Sequence, residues 1–478
     1  MSWHNATQHS FSKHTPDELL LVRGAYSATP LYFFERPIKT AKGNTWLVSH
    51  SLKEIGNYVN YRPSPEGIRD FLCYGFVPAP RTIFQGIKAV PPAMMCRLSK
   101  KSDDIVWQAI PQHNNTNLSN PEQQFWQQLC QLAQTEHAAL LLSGGLDSAM
   151  IAASACVTGA KINAYHARFR GSEINKDSDT HAARLTAQHL KLPYQEISIG
   201  SLEALYWFEK VISALDQPLG DPVILPFYLL FREIAKSKQK TVLTGEGGDQ
   251  LFGSWSMKPM LMRELYAEAN YRREQGYLAS FHKFDEEWES LISAQLGQQL
   301  NRNIDLESPI REAFLSSPSK DFCNQLRWVD LQLKGMQHIL PRINTMANSW
   351  QLELQQPFFQ PELIDLSIAL PNQLKMSASS NKVLLKQLAK QYLPESVIER
   401  RKQGMGVPTT QWFKRGLMPL ALYWLNTNRL IQSELLNPNT VKAIRQQKLS
   451  TRDARGRRWG DRLWMLCVLE CWFSNLPR

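Results

Sequence analysis

No apolar run in this 478-residue chain is long enough to cross a membrane, and its opening residues, MSWHNATQHSFSKH, hold no apolar signal core. The cytoplasm is therefore the expected location. Cysteine is sparse and scattered: seven residues, an odd number, with no CxxC. That pattern excludes both a disulfide framework and a zinc site. Cys467 and Cys471 stand four apart on one predicted helical face, where packing explains them. There is no internal repeat, no low-complexity tract, no GxxxxGK[ST] and no GxGxxG after a strand, so neither a Walker loop nor a dinucleotide fingerprint is present.

Charge is abundant and unbalanced. The formal net charge is +11, with the densest basic run in TRDARGRRWGDR, and it reads as a solvated surface. That run lacks the interleaved aromatics of a single-strand binder, so nucleic acid is not an expected partner, and neither is a membrane. With 43% hydrophobic and 20% charged residues, the chain is globular and long enough for two or more domains.

Residues 1–110 read as β-rich, in short apolar runs such as PLYFFER, TWLVSH and MMCRLS separated by turns. Ile110–Gln123 is polar and turn-forming, a linker. From residue 124 onward, predicted helices alternate with the strands AALLLS, INAYHARF, YQEISI and KTVLTG, which predicts right-handed βαβ units and a parallel sheet. Beyond residue 255 the pattern is helical and rich in tryptophan and leucine.

At the end of the apolar strand Ala138–Leu142 stands Ser143-Gly144-Gly145-Leu146-Asp147-Ser148. Glycines let the chain turn sharply and a ligand approach the backbone closely. First-turn amides, the helix dipole and two hydroxyls then converge on one spot, an anion site suited to phosphate. Asp147 would repel phosphate unless a magnesium ion lay between them. A second apolar strand runs into Leu243-Thr244-Gly245-Glu246-Gly247-Gly248-Asp249, again placing carboxylates at the carboxyl edge where open α/β sheets bind ligands.

SGGLDS resembles the pyrophosphate loop of the ATP pyrophosphatases. Together with GEGGDQLFG, LDQPLGDPVILPFYLL, LPNQLK and LPESVIERRKQGMGVP, it is similar to the synthetase domain of asparagine synthetases over most of residues 124–478. The resemblance implies an α/β fold. A parallel-sheet ATP pyrophosphatase domain with a helical C-terminal part would span 124–478, preceded over 1–110 by a truncated, inactive glutaminase-like domain. It implies ATP and Mg2+ as cofactors. Leu142, Ser143, Gly144, Gly145, Asp147, Ser148, Thr244 and Gly245 would bind ATP and pyrophosphate, and Asp147 and Asp249 would hold magnesium. Lys402 would stabilise charge at the α-phosphate and the collapsing adenylate, and Glu246 would act as base for the attacking amine or as a partner of Lys402. His166 and Tyr165 are read as strand residues near the nucleotide.

RGAYSATPLYFF, LVSHSLKEI and YGFVPAPRTIFQGIKAVPPA look like the last part of that family's glutaminase and its junction with the synthetase. The family's glutaminase uses an N-terminal cysteine. Here Ser2 follows Met1 and the first cysteine is Cys73, so glutamine hydrolysis is not expected. Gln217, Gln355 and Gln360 stand where the family shows charged residues, which predicts a pocket rebuilt for something other than free aspartate.

The expected activity is an AMP- and pyrophosphate-forming amide ligase. A synthetase with a defunct glutaminase resembles lasso-peptide macrolactam synthetases and β-lactam synthetases, though the latter carry tyrosine at the position of Glu246. The substrate would be a small molecule or peptide, with a precursor peptide and its processing protease as partners. The alternative within the same chemistry is an asparagine synthase using aspartate and ammonia. A tRNA-modifying pyrophosphatase and a non-catalytic peptide-binding scaffold fit the motifs less well.

Overall fold

In the computed structural model, the described residues are 9–41, 43–110, 119–171, 177–253, 258–265, 272–281, 283–377, 380–400, 406–446 and 458–477. At the centre lie five strands: β1 (His137–Leu141), β2 (Lys161–Phe169), β3 (Tyr194–Ile199), β4 (Thr241–Leu243) and β5 (Glu353–Gln355). Their order is β3-β2-β1-β4-β5, with every pairing parallel. Alternation on β1 shows why its sequence is apolar throughout. Ala138 and Leu140 face one core cluster, while Ala139 and Leu141 face another. A strand covered on both faces has no polar side to show.

The order reverses between β1 and β4, where consecutive crossovers leave in opposite directions. That switch point is where a doubly wound sheet opens a crevice beyond its strand ends. The expected strands thus form, with β1 one residue earlier than its apolar run suggested. The edge strand β5 was not anticipated. It lies in the polar stretch QLELQQ, where pairing with β4 overrides weak local signal.

The N-terminal region builds a four-stranded antiparallel sheet from Ser10–His14, Glu18–Arg23, Met94–Ser99 and Ile105–Ala109. A three-stranded sheet (Tyr32–Phe34, Val48–Ser49, Ile87–Ala89) accompanies it. Leu19, Leu21, Leu31, Phe33, Cys96 and Leu98 form its own small core. Helix α1 (Pro65–Tyr74) belongs elsewhere: Ile68, Phe71, Leu72 and Tyr74 are fully buried in the large cluster that also contains Phe227, Trp464 and Trp472. Ser64 caps α1 by accepting from the Gly67 amide (3.0 Å), and Gly75 ends it at φ +84°. The expected linker overlaps the structured chain, since Asn120 caps a helix that begins at Pro121, and residues 111–118 lie outside the described set.

Helix α2 (Leu146–Val157) follows β1, α3 (Ile224–Ala235) precedes β4, and the short α4 (Gly248–Phe252) follows it. C-terminal to the sheet core come a π-helical segment (Leu331–Ile339), α5 (Leu340–Asn348), α6 (Val383–Ala389) and α7 (Trp459–Ser474). No helix among the described residues is long and apolar enough to cross a membrane.

Candidate active site

The loop after β1 closes on itself through its serines. Ser148 Oγ accepts from the Ser143 amide (3.1 Å), lies 3.0 Å from Ser143 Oγ, and donates to the Gly145 carbonyl (3.0 Å). Gly144 sits at φ +80°, and a Cβ there would lie 2.1 Å from the Asp179 carbonyl oxygen. No other residue fits that turn. The loop after β4 comes equally close: a Cβ on Gly245 would lie 2.6 Å from the Ser148 nitrogen, and one on Gly248 2.5 Å from the Asp147 Cγ. The glycines of both motifs thus serve the approach of two strand-end loops.

That approach sets Asp147 and Asp249 around one point, and an ammonium occupies it. Lys382 Nζ donates to Asp147 Oδ1 (2.6 Å) and Oδ2 (2.5 Å) and lies 2.6 Å from Asp249 Oδ1. Both Asp147 and Lys382 are buried. Lys382 begins α6 at φ +55°, and sequence reading missed it: one lysine in SSNKVLL, 235 positions from its partner, carries no local signal. Two carboxylates that already share a cation are a donor set suited to magnesium completed by phosphate oxygens. Among the described residues no three His, Cys, Asp or Glu side chains gather, so the protein alone offers no closed metal cage.

A cavity of about 420 Å³ opens over both loops, lined by Leu142, Ser143, Gly145, Asp147, Ser148, Thr244, Gly245, Glu246 and Asp249. Gly144 stands behind the loop, its carbonyl accepting from Arg400 (3.1 Å), whose guanidinium also binds Asp179 and Ser178. Lys402 lies outside the described residues. His166 is buried, its Nδ1 2.8 Å from the Leu142 carbonyl and its Nε2 3.1 Å from Thr180 Oγ1. Burial lowers its pKa, so it serves as a neutral brace of the strand end.

Beyond the loops the cavity is charged, and here expectation needs correction. Glu246 is not described beside Lys402: its Oε2 accepts from Arg342 (3.2 Å), and the same guanidinium holds Asp221. Burial works against ionisation of Asp221, but Arg342 and the neighbouring cations outweigh it and hold the carboxyl at about 2. His338 stacks on Phe76 (5.1 Å between centroids). Burial first, then Arg342, Lys283 and Lys334, push it down to about 3, so it is neutral at neutral pH.

The three glutamines do not line this cavity. Gln217 accepts from the Ile83 amide (3.1 Å) and donates to the Tyr32 hydroxyl (3.2 Å), joining the N-terminal region to the sheet domain. Gln355 donates to the Leu132 and Gln134 carbonyls, and Gln360 to that of Gln356. Their polarity is used in loop closure, so they say nothing about the substrate.

The charged wall owes its shape to the π-helical segment. Lys334, His338 and Arg342, four apart, line the cavity in one stripe. Pro341 has no amide hydrogen to give the Met336 carbonyl, which a π-helical turn would require. Arg23 supplies the missing donor, its Nη2 3.0 Å from that oxygen.

The family model for asparagine synthase matches residues 129–474. Asparagine synthetase [glutamine-hydrolyzing] 1 of Bacillus subtilis (strain 168) is 23% identical over 491 residues, covering 95% of this chain and 74% of that protein. A putative asparagine synthetase [glutamine-hydrolyzing] of Mycobacterium tuberculosis (strain ATCC 25618 / H37Rv) is 24% identical over 449 residues, covering 84% of this chain and 66% of that one. The match spans the sheet, both glycine loops and the helical half that supplies Lys382 and Arg342, and the chain belongs to the asparagine synthase family of ATP-dependent carbon–nitrogen ligases.

Proposed function

We propose that this chain adenylates a substrate carboxylate with ATP and passes the acyl group to an amine, with lasso-type macrolactam formation as the leading version. The observation that carries the ligase reading is the meeting of two glycine loops at the β1/β4 switch point, with Asp147 and Asp249 around one cation position.

The Ser143–Ser148 loop would take the β- and γ-phosphates on its amides and hydroxyls. Asp147 and Asp249 would hold magnesium, which supplies charge neutralisation on the departing pyrophosphate. Leu142, Thr244 and Gly245 offer the strand-end floor for adenosine. The substrate carboxylate oxygen bonds to the α-phosphorus as the bond to the β-phosphate breaks. The amine nitrogen then attacks the acyl carbon, AMP leaves with its oxygen, and Glu246 accepts the amine proton. Lys402 is assigned the charge on the α-phosphate and the oxyanion.

The N-terminal cysteines support an amine source other than glutamine. Cys73 and Cys96 are fully buried, and burial raises both thiols, Cys96 to about 12. Neither can serve as a nucleophile. A tethered amine benefits from a large effective concentration beside the adenylate, which favours cyclisation of one substrate. The charged wall of Asp221, Arg342 and His338 favours a second reading, a small charged acyl donor such as aspartate with free ammonia.

Carboxylate-dependent exchange of labelled pyrophosphate into ATP tests the ligase reading, which fails if no carboxylate supports exchange. Incubating full-length protein with ATP, magnesium and labelled glutamine then tests the nitrogen source. Labelled glutamate or labelled amide would overturn the second part.

A further inference from the structure

We propose that Lys283 is a specificity-determining residue of the reaction cavity, binding an anionic group of the substrate other than the carboxylate that is activated. The proposal rests on the ligase reading and assigns the class of substrate: one carrying a second anionic group.

The first observation is a census of the cations lining the cavity. Arg400 is held by Asp179, Arg342 by Asp221 and Glu246, and Lys334 by Asp330 at 3.2 Å. His338 is uncharged. Lys283 also lines the cavity, yet among the described residues no side chain takes a hydrogen bond or salt bridge from its ammonium. A partly buried cation without a counter-charge costs stability unless a ligand supplies one.

The second observation is that the residue is held in place. Arg462 donates to the Lys283 carbonyl from Nε (3.2 Å) and Nη2 (2.8 Å), and Glu287 in turn holds Arg462 at 2.6 Å. The next amide, Phe284 N, donates to the Leu72 carbonyl of α1 (3.1 Å). The lysine stem passes Gly75, where a Cβ would stand 3.0 Å from Lys283 Cε. Backbone and stem are fixed from three directions, and the free end faces the cavity. Such preorganisation reduces the entropy lost when a ligand is bound.

Position supplies the third. Asp221 lies within the electrostatic reach of Lys283, and Arg342 joins Asp221 to Glu246 beside the β4 loop. Lys283 is therefore on the far side of that chain of charges from the phosphate loop. A substrate whose one carboxylate reaches the α-phosphate would present a second anion to Lys283. Discrimination comes from charge: a neutral ester would leave the ammonium unpaired.

The test is calorimetric titration of the full chain, with α,β-methylene-ATP and magnesium present, by succinate and by monomethyl succinate. Wild type should bind succinate at least tenfold more tightly than the ester. Lys283→Met should reduce succinate affinity to that of the ester while nucleotide affinity stays within twofold, and Lys283→Arg should keep part of the preference. Equal binding of the two probes by wild type, absence of succinate binding, a preference surviving in Lys283→Met, or an equal loss of nucleotide affinity would each overturn the proposal. Pyrophosphate exchange separates the two failures. Exchange with carboxylates but no succinate preference sinks Lys283 alone, whereas no exchange sinks the ligase reading itself.

Discussion

Asp147, Asp249 and Lys382 show how little of a site's logic one side chain contains. Each aspartate alone is an acid after a strand; together they hold a buried ammonium at 2.5–2.6 Å. Asp147→Asn and Asp249→Asn should each lower pyrophosphate exchange about a hundredfold or more, with the thermal transition retained, because the change removes charge while preserving shape. Near-normal exchange in either variant would remove the magnesium assignment. Lys382→Met should behave differently. Without the ammonium, two carboxylates face each other in a buried site, at a cost of about 3 kcal/mol. Scanning calorimetry should show a lowered Tm that millimolar magnesium partly restores, and no response to magnesium would mean that the point does not accept a divalent ion.

At the scale of the element, the glycine loops were legible and the π-helical wall was not. SGGLDS and GEGGD announce themselves because positive φ and close backbone approach demand glycine, and demand it locally. Gly144→Ala should therefore weaken ATP binding at least tenfold in a calorimetric titration, since φ +80° disfavours a Cβ by about 1 kcal/mol or more and the added carbon would meet the Asp179 carbonyl at 2.1 Å. Affinity within twofold of wild type would show that the loop relaxes. The sheet was legible for a similar reason, as buried parallel strands must be apolar along their whole length. By contrast, the stripe of Lys334, His338 and Arg342 depends on Arg23 meeting the carbonyl that Pro341 cannot satisfy, 313 positions away in sequence. Gln217, Gln355 and Gln360 misled for the converse reason. Their side chains looked like pocket residues because only their types were visible, not the main-chain groups they bind.

The whole molecule is held by α7, and its stability should carry that helix's titration. Trp472 donates to the Leu215 carbonyl (3.0 Å) and packs on Phe84 of the N-terminal region, while Met465 fills the space beside Gly220. Within the same helix Glu470 is buried, with Ser433 Oγ at 3.2 Å. Burial pushes its carboxyl from the ordinary 4.5 up to about 8. The folded chain thus keeps a proton that the unfolded chain releases near 4.5. This contribution is complete below about 4.5 and is lost as pH rises towards 8. Lys375 works in the opposite sense over the upper part of the range. Burial, then Arg327, lower its amine to about 7, so its contribution is lost as pH falls through 7. The sum of the two is not flat, and the comparison that isolates Glu470 is with Glu470→Gln, which keeps shape and neutrality but cannot ionise. Between pH 6 and 8 wild type should lose about 2 kcal/mol relative to that variant, at up to about 1.4 kcal/mol per pH unit. Thermal denaturation of both proteins across that range gives the difference directly, and parallel Tm curves would mean that Glu470 is ionised in the folded core.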